Sequence, residues 1–285
     1  MENPTVSSVR HYMKEYLSSY YPPGELDAII LIILGFMSGK SRTFLLANPG
    51  HKTSSFSWNK VNKICIQLKN KVPVQYITGE TWFYGIKLKL TADTLIPRQE
   101  TEELADLVIR ENNKPFLKIL DIGTGSACIA ISLAVNMDRA TVDAMDISPG
   151  ALKTASLNAT NNNACISFIH DDILSPDRDL YGRYDIIVCN PPYVTESEKS
   201  GMSSNVTAYE PHTALFVPDN NALVFYKAVL DLCGSILKEG GKIYFEINEN
   251  KSDEVKELLA SYGYTGIGSI KDINGKPRIG KGIKT

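Results

Sequence analysis

Little in this chain of 285 residues points to a metal or to a disulfide framework. Its five cysteines, Cys65, Cys128, Cys165, Cys189 and Cys233, are scattered and form no C-x-x-C pair. That pattern fits reduced thiols rather than disulfides or zinc ligands. The four histidines, His11, His51, His170 and His212, have no metal-ligand spacing, so no metal site is expected. The longest apolar run, Ala28–Met37, is too short to cross a bilayer. No secretory leader pattern opens the chain. A net charge of -2 gives no overall field to attract nucleic acid. The glycine loop at residues 123–127 lacks the Gly-Lys-Ser/Thr of a phosphate-binding P-loop, and no internal repeat stands out. What remains is the expectation of a reduced, cytoplasmic, monomeric protein that binds neither membrane nor metal.

Hydrophobic residues make up 43% of the chain and charged residues 22%, ordinary values for a globular protein large enough for one big domain or two modest ones. The charge is uneven. Residues 1–76 hold nine Lys/Arg and four Asp/Glu, so they carry +5 and the remainder -7. These 76 residues read as helical. Val9–Ser19 has apolar residues at helical spacing, Pro22-Pro23-Gly24 interrupts, and Glu25–Ser38 is apolar on most sides, as in a central buried helix. Val61, Ile64, Cys65 and Leu68 form one more apolar stripe. No catalytic set is concentrated here, so a substrate-recognition or scaffolding domain is expected. Residues 77–97 alternate and are rich in aromatic and β-branched side chains, which predicts a β-hairpin turning near Gly85 and linking two domains. A helix follows from Thr101. From Phe116 strands and helices alternate to the end, so residues 98–285 should form a doubly wound, mostly parallel α/β sheet closed by C-terminal strands.

Two stretches of this second region carry chemistry. The first is Leu120-Asp121-Ile122-Gly123-Thr124-Gly125-Ser126-Ala127, a glycine loop between a strand and a helix. Glycines there allow a tight turn and a close approach of ligand to backbone. The next strand ends in Asp146, placed to accept hydrogen bonds from ribose hydroxyls. Together they point to a nucleoside-containing cofactor, and the loop does not complete the G-x-G-x-x-G dinucleotide pattern. After the following strand, Asp172 and Ile173 suit an adenine amine and ring face. The second stretch is Asn190-Pro191-Pro192-Tyr193, directly after the apolar run Tyr184–Cys189. The prolines end the strand and fix the turn, holding Asn190 at a strand's carboxyl end, where open α/β sheets place ligands. An asparagine there suits a ligand that bears its own planar NH2 group.

The loop with Asp121 two residues before Gly123 resembles that of S-adenosylmethionine enzymes, in which the acid faces the cationic methionine end of the cofactor. With Asn190-Pro191-Pro192-Tyr193, the chain resembles methyltransferases that act on planar amino groups of nucleic acids or proteins. Pro73–Glu80, Phe83-Tyr84-Gly85, Leu95–Glu102, Tyr209–Phe216 and Lys271–Arg278 narrow this to a resemblance to the HemK/PrmC family, from about residue 73 to the end. The resemblance implies methylation of the glutamine amide in the Gly-Gly-Gln tip of peptide-chain release factors, with S-adenosylhomocysteine as product. It departs from the family at Ala127, where a third glycine is usual, and at Gln99, where a proline is usual; the latter is expected to loosen the turn before the helix.

On this reading Asn190 and the Pro191 carbonyl accept the two N–H bonds of the substrate amide, and Tyr193 packs against the amide plane. Asp121, Gly123, Thr124, Gly125, Ser126, Ala127, Asp146, Asp172, Ile173 and Asn190 bind the cofactor. Pro192, Phe83 and Pro97 join the substrate site, the last two at its entrance. A ribosomal-protein glutamine, or a nucleic-acid amine, stays open as an alternative substrate.

Overall fold

The computed structural model describes residues 4–52 and 57–285, and its chain divides into two compact units. The first takes residues 1–79 and returns for 203–209. The described part of this unit is helical throughout, with α1 (Val6–Leu17), α2 (Pro23–Ser38), α3 (Arg42–Ala47), α4 (Trp58–Lys69), α5 (Val74–Thr78) and, from far along the chain, α9 (Ser204–Tyr209). Local chemistry sets the ends. Thr5 Oγ1 accepts the Ser8 N–H at 3.1 Å while Ser8 Oγ accepts the Thr5 N–H at 2.8 Å, a reciprocal cap on α1. Pro23 opens α2, and Gly39, at φ 67°, closes it in the left-handed region. The core takes Val9, Met13 and Leu17 from α1 and Val61, Ile64, Cys65 and Leu68 from α4. From α2 it takes Ile29, Ile30, Ile33 and Leu34. Each such side chain contributes about 1.5–3 kcal/mol on burial. α2 is buried over most of its apolar surface, while Ile32 and Phe36 are exposed.

The second unit holds residues 80–202 and 210–285. It opens with the hairpin β1 (Glu80–Phe83) and β2 (Ile86–Lys89), which therefore groups with the sheet that follows rather than standing apart as a linker. Then come α6 (Gln99–Glu111), β3 (Lys118–Ile122), α7 (Cys128–Asn136), β4 (Thr141–Asp146), α8 (Pro149–Asn161), β5 (Ile166–His170) and β6 (Tyr184–Cys189). A short parallel pair, β7 (Val194–Thr195) and β8 (Phe216–Val217), precedes α10 (Val224–Ile236), β9 (Leu237–Glu246), α11 (Ser252–Ser261), β10 (Thr265–Lys271) and β11 (Pro277–Ile283). Gln99 is the first helical residue of α6, where proline is favoured but any residue with helical φ serves.

The main sheet has the order β10-β11-β9-β6-β3-β4-β5. β11 runs antiparallel to both neighbours, and the other pairings are parallel. This is the doubly wound α/β class expected from the alternation. The chain order reverses beside β3, where β4 lies on one side and β6 on the other, the place where such sheets form a ligand crevice. Register then sets which residues meet there. Ile122 pairs with both Met145 and Cys189, and Cys189 pairs with Phe245. The next residues along, Asp146, Gly123, Asn190 and Glu246, therefore stand in one row at the carboxyl edge of four adjacent strands.

Candidate active site

A cavity of about 520 Å³ opens along that row. Gly123, Thr124, Gly125 and Ser126 line one side, Asp146, Asp172 and Ile173 another, and Asn190, Pro191 and Pro192 a third. Pro97, Thr101, Pro211 and Thr213 complete the wall. Gly123 and Gly125 adopt φ of 73° and 55°, which a β-carbon would strain, so the loop sequence is dictated by its turn. Ala127 accepts the same strain at φ 63° and is wholly buried where it starts α7.

Backbone groups fix the loop. The Gly123 and Thr124 N–H groups each donate to the Met145 carbonyl at 2.9 Å. Asp146 Oδ2 accepts the Gly125 N–H at 2.8 Å, and its Oδ1 accepts the Ser148 N–H at 2.9 Å. Burial pushes the Asp146 carboxyl up, and those N–H bonds oppose the shift. Asn158 of α8, wholly buried, donates to the Ser126 carbonyl at 3.0 Å.

Asp121 lies beneath the loop and does not line the cavity, contrary to the expectation that it faces a ligand. Its Oδ2 accepts the Thr124 hydroxyl at 2.7 Å and the Ala130 N–H at 3.2 Å, so it joins the loop to α7. Complete burial pushes its carboxyl up to about 7. Asp121 Oδ1 and the Ser126 hydroxyl are buried without a hydrogen-bond partner among the described residues. An unpaired polar atom of this kind costs about 1–3 kcal/mol until something bonds it. Ser126 is one of the residues that line the cavity.

On the opposite wall Asn190 follows β6 directly. Its Nδ2 donates to Thr101 Oγ1 at 3.3 Å. Thr101 in turn donates to Glu246 Oε2 at 2.6 Å, and the Tyr193 hydroxyl donates to Glu246 Oε1 at 3.0 Å. Tyr193 is thus tied back to β9 by its hydroxyl. Burial pushes the Glu246 carboxyl up, while its two hydroxyl donors and the charge of Arg278 pull it down. Arg98 pairs with buried Glu210, which also accepts the Ile96 N–H at 3.1 Å. That clamp holds the Leu95–Pro97 wall beside Pro211.

Phe83 is not at the cavity. It is 1% exposed and packs in the core with Leu88, Leu104 and Val108. Strand alternation turns Phe83 inward and sends Trp82 outward, at 67% exposure. His212 opens a short 3-10 turn, His212–Ala214, with its ring edge-on to Phe216, 5.2 Å between centres. Thr101, Glu246, Glu210 and Asn158 carry the geometry of the site; Glu246 and Asn158 had no local signal, and Thr101 and Glu210 lay inside the Leu95–Glu102 and Tyr209–Phe216 stretches without being singled out. Each partners a residue 69 or more positions away. Among the described residues no group of His, Cys, Asp or Glu is arranged to hold a metal, and no helix is long and apolar enough to cross a membrane.

The Methyltransferase small domain family matches residues 101–208, and the PrmC N-terminal domain family matches residues 8–79. A release factor glutamine methyltransferase of Flavobacterium psychrophilum is 42% identical over 96% of this chain and 97% of its own length. One from Bacteroides thetaiotaomicron is 40% identical over 96% and 98%. Among solved structures, a methyltransferase from Pyrococcus furiosus superposes with a TM-score of 0.53 at 18% identity, covering 78% of this chain and 98% of that one, which shows the shared fold. The chain is an S-adenosylmethionine-dependent methyltransferase and belongs to the release factor glutamine methyltransferase family.

Proposed function

We propose that this enzyme methylates the side-chain amide nitrogen of the glutamine in the Gly-Gly-Gln motif of peptide-chain release factors. The observation that carries the reading is Asn190, at the end of β6, on the wall of a cavity whose other side is the glycine loop. The names of the 42% and 40% identical relatives support the choice of substrate.

An amide nitrogen is a weak nucleophile because its lone pair is delocalised into the carbonyl. S-adenosylmethionine, when bound, supplies a methyl group on a sulfonium and departs as S-adenosylhomocysteine. The chain's own residues have to hold the amide nitrogen in line with that methyl. Asn190 Oδ1 and the Pro191 carbonyl each accept one amide N–H, which favours pyramidal nitrogen and leaves one direction open. As the N–C bond forms, the two carbonyl dipoles stabilise the positive charge on nitrogen. The surplus proton then passes to water. Orientation of this kind can lower a barrier by about 7–11 kcal/mol. No histidine or cysteine nucleophile is needed.

On the cofactor side, Asp146 accepts from the ribose hydroxyls, Asp172 and Ile173 meet the adenine, and the Gly123–Ser126 backbone lies along the methionine end. Asp121 acts through the loop, by holding Thr124. Pro192 and Pro97 shape the substrate end. The helical unit, with its basic excess, recognises the release factor, and the enzyme works as a cytoplasmic monomer without nucleic acid. The test is incubation of the pure enzyme with S-adenosylmethionine and a release factor, followed by mass spectrometry of the Gly-Gly-Gln peptide. Addition of one methyl to that glutamine is expected, and Asn190→Ala should lower kcat about 10²–10³-fold. An unmodified glutamine, or an undiminished Asn190→Ala rate, would sink the reading.

A further inference from the structure

The function above requires Asn190 to face the substrate with its oxygen. Nothing in asparagine itself chooses that end, since Oδ1 and Nδ2 are nearly the same size and the amide can turn over. The choice must come from what touches it. Asn190 touches Thr101, and Thr101 touches Glu246.

We propose that Glu246 and Thr101 form a hydrogen-bond relay that sets which end of the Asn190 amide faces the substrate. Glu246 is the last residue of β9, 1% exposed, and both carboxylate oxygens accept from a hydroxyl: Thr101 on Oε2 and Tyr193 on Oε1. The Thr101 and Tyr193 hydroxyls and the charge of Arg278 favour the ionised carboxylate against its burial, and in that form Glu246 has acceptors only, so the single Thr101 proton points at it across 2.6 Å. Thr101 Oγ1 then has only lone pairs left for Asn190, and the Asn190 group at 3.3 Å must be a donor. That makes it Nδ2. Oδ1 is left for the cavity, where a planar NH2 can donate to it. The charge at the end of β9 is thus expressed, two hydrogen bonds away, as an acceptor on the end of β6. Register sustains the geometry, because Cys189 pairs with Phe245 and holds Asn190 level with Glu246. Thr101 sits in the first turn of α6 and is 2% exposed. Arg278 lies near enough to act electrostatically on both Glu246 and Tyr193.

Glu246 and Thr101 are positioning residues in this scheme. The inference rests on the proposed glutamine methylation but is read separately from it. Three variants test it in the full-length enzyme: Thr101→Val, which keeps shape and removes the hydroxyl; Thr101→Ser, which keeps the hydroxyl; and Glu246→Gln, whose NH2 can donate to Thr101 and reverse the chain. For each, kcat and KM on the release factor are measured, with calorimetric affinity for S-adenosylmethionine and thermal stability. Thr101→Val and Glu246→Gln should lower kcat about 10–100-fold, with cofactor affinity within about twofold of wild type. Thr101→Ser should stay within about threefold. A merely structural role would move stability and cofactor affinity together and would not be rescued by serine. The side-chain 15N–1H resonances of Asn190 are followed in parallel: hydrogen-exchange protection should be lost in Thr101→Val and kept in Thr101→Ser. Should wild type methylate no glutamine, the proposed function falls, and the amide resonances still decide the relay. Wild-type kcat, or wild-type protection of the Asn190 amide, in a folded Thr101→Val protein would overturn the relay.

Discussion

Asn158 clasps the main chain of Lys89 in both directions. Its Oδ1 accepts the Lys89 N–H at 2.7 Å, and its Nδ2 donates to the Lys89 carbonyl at 2.9 Å. The same NH2 reaches the Ser126 carbonyl. One buried side chain on α8 thereby pins the hairpin and the glycine loop together.

Replacing it should loosen both. Asn158→Ala leaves two carbonyls and one N–H without their partner. Because Lys89 is itself exposed, water recovers part of the loss, and the expected cost is about 2–3 kcal/mol. Chemical denaturation measures this, and calorimetry should show weaker binding of S-adenosylmethionine. Weaker binding with unchanged stability would contradict the clasp.

Phe83 should behave as core rather than as substrate entrance. Phe83→Ala is expected to cost about 3–5 kcal/mol of stability, as for other buried aromatic truncations. KM for the release factor should hold at temperatures where the variant is folded. A raised KM with little change in the unfolding midpoint would return Phe83 to the entrance.

Asp121 gives the ligand-free enzyme a distinctive pH dependence. In the folded chain its carboxyl keeps a proton up to about pH 7, whereas an ordinary aspartate releases it near 3.8. Between these values the folded state binds the extra proton, so this group makes stability fall as pH rises from about 4 through 7. Asp121→Asn cannot titrate. Denaturation midpoints taken at pH 5 and pH 8 should therefore drop less in the variant than in wild type. Parallel curves would show that Asp121 is already ionised at the lower pH.

The parts of the site that were legible in the sequence are those governed by local rules. Two prolines after an apolar strand locate Asn190, glycines at positive φ locate the loop, and an acid at the next strand end locates Asp146. Strand and helix alternation gives the sheet class, because side-chain periodicity depends only on near neighbours. What stayed hidden depends on distant partners. Thr101 reads only as a residue of a helix start, and Glu246 only as the end of a strand, until register puts them within a hydrogen bond of each other across 145 positions. Phe83 misleads for a related reason. An aromatic in a hairpin is equally compatible with either face, and the phase of β1 is set by what packs beneath it. Asp121 was expected to face a ligand, and only the three-dimensional loop reveals that it bonds Thr124 instead and does not line the cavity.

The return of residues 203–209 to the helical unit bears on modularity. Tyr209 in that segment donates its hydroxyl to the Asn70 carbonyl at 2.8 Å, so the segment is bonded into the unit it rejoins. The polypeptide consequently passes between the units three times, after residues 79, 202 and 209. A recombination at residue 79 alone does not exchange one helical unit for another. It leaves α9 encoded on the wrong side of the crossover, matched to a helical bundle that is no longer there. Inheritance or grafting of a new helical unit must bring the 203–209 segment with it, and that segment is encoded between Asn190 and Glu210. Changes in the helical unit are thereby linked genetically to the chain that builds the cavity.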